Sequence, residues 1–218
     1  MKIILEGTSS SGKSSIVKLF PDNYTKIAMD DLENNREEMF KKIKNRYYKT
    51  EETDKIFVDI MDKRLSSKVK NKKKFIIDTV NMNGYPTIQK YLPKDTLKVL
   101  LYTNLKDLVR NIDKRKTYDS RGLYVFNQFT NYFEKTDKIE YAIDKIKLSD
   151  FIKYLKNIKY FFESEKDLKE YAKSIFEKMN IKDNKVHYIK PRYDGFDIIL
   201  RTADKTSKEL KNLLINLK

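Results

Sequence analysis

The feature that most constrains this chain is the run Gly7-Thr8-Ser9-Ser10-Ser11-Gly12-Lys13-Ser14. It matches G-x-x-x-x-G-K-[ST] at every fixed position and follows the apolar stretch Ile3-Ile4-Leu5. Two glycines let the backbone curl so that successive N–H groups face inward, which suits a phosphate. The segment that follows, 13–20, has helical spacing and is stopped by Pro21. The loop therefore opens onto a helix start, where anions are favoured. At average residue usage such a match arises by accident in about 1% of chains this long. The spacing predicts that Gly7, Thr8, Ser9, Ser10, Ser11, Gly12, Lys13, Ser14 and Ser15 surround the phosphates of a nucleotide triphosphate. Lys13 is then the residue that reaches the transferred phosphate, and the Ser14 hydroxyl a ligand for Mg2+.

The rest of the chain alternates short apolar runs with longer amphipathic ones. Strands are expected at 2–6, 24–29, 75–78, 97–102 and 140–143. Helices are expected at 13–20, 32–49, 52–71, 86–92, 104–116, 122–135 and 149–160. Continuous apolar strands between helices argue for a parallel sheet covered on both faces. The expected class is α/β, a P-loop NTPase three-layer αβα fold with about five parallel strands. Beyond residue 162 the pattern changes. Ser164, with Asp167 three residues on, caps a helix whose stripe is Leu168, Tyr171, Ala172, Ile175, Phe176 and Met179. Residues 185–190 and 196–202 read as two strands joined as a hairpin through Pro191 to Gly195, and 205–217 as a last helix. The division expected is a kinase-like unit at 1–162 and an α-β-β-α appendage at 163–218.

Composition narrows the chemistry. The chain has no cysteine and a single histidine, His187. Disulfide scaffolds, thiol catalysis and cysteine zinc sites are excluded, and a His-based metal centre or Ser–His relay is disfavoured. His187 is expected to be structural. No run of about 18 apolar residues suggests a transmembrane helix, so a soluble, cytoplasmic protein without a membrane partner is expected. The net charge of +15 is spread along the chain, with a modest maximum at 33–74. It reads mainly as solvated surface lysine and secondarily as a face that attracts anions.

Four further groups are candidates. Asp30 and Asp31 end the second strand, at the sheet edge where ligands bind in parallel sheets. Asp30 is placed as the base that takes the acceptor's proton, and Asp31 as a substrate contact or helix cap. Asp78 ends the third apolar strand, where a carboxylate holds Mg2+ directly or through water; a substrate contact or a structural Asp turn is the alternative. Asn81 and Asn83 follow it and are placed at the acceptor. Arg110, Arg115 and Arg121 lie after the fourth strand; Arg115 and Arg121 suit a lid that neutralises the transferred phosphoryl group, and Arg110 suits a substrate contact. Asn104-Leu105-Lys106-Asp107 sits where a GTPase would carry N-K-x-D, but its order is wrong, and Asp78 to Asn81 lacks the glycine of D-x-x-G. A GTPase switch is disfavoured.

Together, Ile3 to Ile16, Met29-Asp30-Asp31-Leu32, Phe75-Ile76-Ile77-Asp78, the Arg115 to Gly122 segment and Glu140-Tyr141-Ala142-Ile143-Asp144 resemble chloramphenicol phosphotransferase-like P-loop kinases over roughly residues 1–155. The resemblance implies an ATP-dependent O-phosphotransferase. It assigns Asp30 as general base, Lys13 and Ser14 to ATP and Mg2+, and Arg115 and Arg121 to the lid. The family's antibiotic acceptor does not carry over, because 33–74 shows no match to the family and is markedly basic.

Three readings stay open at this point. The first is a kinase that phosphorylates a hydroxyl or phosphate of a small-molecule acceptor such as a nucleoside or nucleotide, the basic segment favouring one that already carries phosphate. The second is a 5′-hydroxyl polynucleotide kinase, in which the basic surface guides a nucleic-acid strand. The third is a non-catalytic nucleotide-binding module whose tail binds a partner. The apolar stripes of the tail suit packing on the core or formation of a homodimer.

Overall fold

The computed structural model describes residues 1–28, 51–79, 92–115, 123–136, 141–143, 145–182, 187–192, 194–203 and 205–217. Its centre is a sheet of five parallel strands: β1 (Lys2–Gly7), β2 (Thr25–Ala28), β3 (Phe75–Thr79), β4 (Thr96–Tyr102) and β8 (Ile198–Arg201). Their order is β2-β3-β1-β4-β8. The expected α/β class, a parallel sheet flanked by helices, is what the chain forms.

Period-two alternation sends the side chains of each strand to both faces, and both faces are covered. On one face Ile3, Leu5, Ile76, Val99 and Leu101 pack against Ile16 and Val17 of α1 (Lys13–Lys18) and Leu210 and Leu214 of α7 (Ser207–Asn216). On the other, Ile4, Ile27, Phe75 and Ile77 meet Met61 and Leu65 of α2 (Glu51–Val69). Farther along that face, Leu100 and Tyr102 enter the largest apolar cluster. It is completed by α3 (Leu105–Arg115), α4 (Tyr124–Tyr132), α5 (Leu148–Leu155) and α6 (Glu165–Lys178). Each fully buried Leu, Ile or Phe contributes about 1.5–3 kcal/mol relative to exposure.

A second, smaller sheet of three antiparallel strands has the order β5-β7-β6. These are β5 (Phe133–Thr136), β6 (Tyr141–Ile143) and β7 (His187–Pro191). Phe133 pairs with Pro191 and Ile143 with His187.

Several sequence expectations are corrected here. The strand expected at 140–143 is found at Tyr141–Ile143, but in the antiparallel sheet; the fifth parallel strand is β8, from the tail. The expected hairpin is not made, because β7 pairs with β5 and β6 while β8 pairs with β4. The parallel sheet therefore runs across the boundary expected at residue 162. The helix expected at 122–135 ends at Tyr132, where Phe133 turns extended (φ −124°, ψ 147°) and enters β5. The helix expected at 149–160 is α5 followed by a tighter 3-10 turn over Lys156–Phe161, broken at Ile158 (φ −117°). The Ser164 cap forms as the pattern predicts, its hydroxyl accepting from the Asp167 amide at 3.1 Å. The expected helices at 32–49 and 86–92 lie outside the described residues, apart from Leu92. Among the described residues no helix is long and apolar enough to cross a membrane.

Because the five strands are parallel, their carboxyl ends share one edge, and the segments after β1, β4 and β8 meet there.

Candidate functional site

The loop after β1 occupies the middle of that edge, since β1 lies between β3 and β4. Its shape depends on three left-handed residues: Gly7 (φ 151°), Ser10 (φ 66°) and Gly12 (φ 94°). A Cβ at Gly7 would lie 2.4 Å from the Leu101 carbonyl oxygen of the neighbouring strand, so no larger residue fits without parting β1 from β4. At Gly12 space is open and the conformation itself is the requirement. Ser10 adopts the same region with a side chain, which costs about 1–2 kcal/mol.

Lys13 is buried and folds back over the loop. Its ammonium donates to the carbonyls of Gly7 (2.9 Å) and Thr8 (2.8 Å) and lies 3.9 Å from the Asp78 carboxylate. Ser14, one residue on, donates its hydroxyl to Asp78 Oδ2 at 2.5 Å. The structure thus brings together Lys13, Ser14 and Asp78, three residues named from two separate stretches of sequence. The register explains it: Leu5 is level with Asp78 in the adjacent β3, so Asp78 sits beside the turn into α1.

The donor set fits a magnesium ion that arrives with a phosphate. One hydroxyl and one carboxylate are hard oxygen donors, and Mg2+ typically takes one or two such protein ligands and fills its octahedron with phosphate oxygens and water. Among the described residues no group of three or more His, Cys, Asp or Glu could hold a metal ion by itself. The phosphate side fits too. Helix α1 has only six residues, so its first-turn amides, rather than a large macrodipole, are what it offers an anion. Thr8 and Ser11 bring buried hydroxyls with no hydrogen-bond partner to the same loop; Ser11 Oγ lies 3.2 Å from the Cβ position at Gly7, under the loop.

Beside the loop lies a cleft of about 380 Å³, lined among others by Ser10, Gly12, Thr103, Arg110, Thr202 and Thr206. Arg110 is therefore brought to the same cleft, half-exposed, with its guanidinium 2.9 Å from Asp107. Arg115 is the last residue of α3. Asp30, Asp31, Asn81, Asn83 and Arg121 lie outside the described residues. Asn104 proves to be the cap of α3: its side-chain oxygen accepts from the Asp107 amide at 2.7 Å, which accounts for the near-miss to a guanine-reading motif. His187 lies in β7.

Sequence reasoning missed several groups at this edge. Glu6, the residue before the loop, is buried and accepts from Tyr132 Oη at 2.9 Å. Asn111 Nδ2 donates to the Ser10 carbonyl at 2.8 Å, and Gln128 Oε1 accepts from the Ser9 amide at 2.8 Å. Thr202 and Thr206 come from the tail. A charged residue ending an otherwise apolar strand was a visible signal for Glu6. None existed for Asn111 and Gln128, whose partners are more than a hundred residues away.

No protein-family model matches the chain, and no curated protein matches it. Similar solved structures include a shikimate kinase from Acinetobacter baumannii in complex with shikimate, 13% identical, with a TM-score of 0.46 over 99% of this chain and 91% of that one. An uncharacterized protein from Eubacterium ventriosum is 9% identical, with a TM-score of 0.47 over 99% and 96%. A gluconokinase from Sinorhizobium meliloti 1021 is 16% identical, with a TM-score of 0.41 over 59% and 72%. At these identities and scores the likeness carries no argument about activity, which rests on the chain's own residues.

Proposed function

We propose that the chain is an ATP-dependent phosphotransferase that moves the terminal phosphoryl group of ATP to a hydroxyl of a small-molecule acceptor. The observation that carries this reading is the meeting of Lys13, Ser14 and Asp78 at the carboxyl end of the central strand, within a loop that matches the phosphate-binding pattern throughout.

The roles follow from chemistry. The loop amides and the start of α1 bind the triphosphate, and the cleft lined by Thr103, Arg110, Thr202 and Thr206 takes the nucleoside. The Lys13 ammonium exchanges its two carbonyl partners for phosphate oxygens, where its charge offsets the negative charge that builds up on the transferred group. Ser14 and Asp78 hold Mg2+, which when bound screens the charge of the triphosphate. Asp30 takes the proton of the acceptor hydroxyl as that oxygen bonds to the terminal phosphorus and the bond to the departing ADP oxygen breaks. Arg115 and Arg121 supply positive charge from the lid segment, Asp31, Asn81 and Asn83 contact the acceptor, and residues 33–74 select it.

The test has two parts. Calorimetry with Mg·ATP reads binding, and transfer of a labelled terminal phosphate to pooled nucleosides, nucleotides, sugars and 5′-hydroxyl oligonucleotides reads chemistry. Asp30→Asn is expected to lower turnover about 100-fold or more while ATP still binds. Normal turnover in that variant would remove Asp30 from the mechanism. Stoichiometric nucleotide binding with transfer to no acceptor would replace the kinase by a binding module.

A further inference from the structure

The loop proposed to hold the nucleotide is filled with hydroxyl-bearing residues. Between its two motif glycines stand Thr8, Ser9, Ser10 and Ser11, yet the backbone still requires a left-handed residue in the middle, and that residue is Ser10 at φ 66°. A serine does not hold this conformation unaided: the right-handed and extended regions are lower by about 1–2 kcal/mol. Persistence of such a conformation implies that the surroundings impose it.

Two side chains do so from opposite sides. Asn111, in the second turn of α3, donates to the Ser10 carbonyl, and Gln128, in α4, accepts from the Ser9 amide, each at 2.8 Å. The two hydrogen bonds grip the peptide groups on either side of the Ser9–Ser10 unit, with Ser10 itself 4% exposed. We propose that Asn111 and Gln128 are positioning residues: they hold Ser10 left-handed and so keep the loop shaped for a triphosphate before it binds. Glycine at position 10 would need no such clamp.

The inference rests on the nucleotide reading above, and the experiment separates the two. Calorimetry with Mg·ATP is run on the full chain as wild type, Asn111→Ala, Gln128→Met, Ser10→Gly and the double variant Asn111→Ala/Ser10→Gly. Thermal unfolding without nucleotide is followed in parallel. Asn111→Ala is expected to weaken binding about 10-fold, and Gln128→Met about 5-fold. In the Ser10→Gly background the Asn111→Ala penalty should shrink to below about 3-fold, because a glycine needs no help to stay left-handed. A role confined to helix packing would not respond to the loss of one Cβ in the loop. If alanine costs too much stability to fold, Asn111→Ser keeps the cycle measurable. An equal Asn111 penalty in both backgrounds, or wild-type affinity in Asn111→Ala, overturns the proposal while wild-type binding stands. Absence of binding in the wild type overturns the nucleotide reading, and the clamp with it.

Discussion

The two sheets of this protein are stabilised differently. The parallel sheet is covered on both faces, and its three central strands, β3, β1 and β4, carry unbroken apolar runs such as Phe75-Ile76-Ile77 and Val99-Leu100-Leu101. The antiparallel sheet is amphipathic. Phe133 and Ile189 enter the core, while Glu134 faces outward between Lys190 (2.9 Å) and Arg192 (3.1 Å). The first sheet supplies a rigid edge on which a reactive loop can be mounted. The second ties 133–136 and 141–143 to the tail, and Arg192 donates from its backbone to the Tyr132 carbonyl where α4 hands over to β5. Rigidity at the site thus comes from one sheet, and chain closure from the other.

Four substitutions test that contrast, taken from the largest effect to the smallest. Gly7→Ala drives a methyl group into the Leu101 carbonyl and imposes a left-handed alanine. It should abolish Mg·ATP binding by calorimetry and lower stability by about 3 kcal/mol or more in chemical denaturation. An alanine variant with native stability would mean that the parallel sheet is less rigid than its burial implies. Leu214→Ala empties a fully buried site of α7 under β1 and β4. A loss of about 2–5 kcal/mol is expected, and a loss below about 1 kcal/mol would detach the tail from the main core. Tyr132→Phe removes the donor that reaches from the foot of the small sheet to Glu6 in β1. Leaving a buried carboxylate one donor short should cost about 1–3 kcal/mol; a neutral result would uncouple the two regions. Glu134→Gln should leave the unfolding midpoint unchanged within error at 0.15 M salt, because solvent-exposed ion pairs contribute little. A clear drop there would show the small sheet to depend on its outer face after all.

The same contrast explains what could be read from the amino-acid sequence. β1, β3 and β4 were legible because burial on both faces leaves an unbroken apolar signature, and the loop after β1 because its left-handed turns demand glycine at fixed spacing. Asp78 was legible because it is the polar residue that ends such a run. The small sheet was not, since Phe133 to Thr136 and Tyr141 to Ile143 are too short and too mixed to declare their partners. β8 was seen as a strand but given the wrong neighbour: Ile198 to Leu200 looks the same whether it pairs locally with β7 or at long range with β4. Asn111 and Gln128 carry no local signal at all. Their role exists only once two helices have been folded against the loop.

The placement of β8 and α7 has a consequence for how the molecule is made. The first strand and its loop leave the ribosome well before the strand that covers the outer flank of β4 and the helix that covers α1. Until residue 214 has emerged, a nascent chain presents an open β4 flank and leaves the apolar cluster of Ile3, Leu5 and Val99 without Leu210 and Leu214, both of which invite adhesion to other chains. Such long-range closure makes for slow folding, and synthesis of this protein should depend on holdase chaperones more than that of a chain whose central sheet is completed in order of translation.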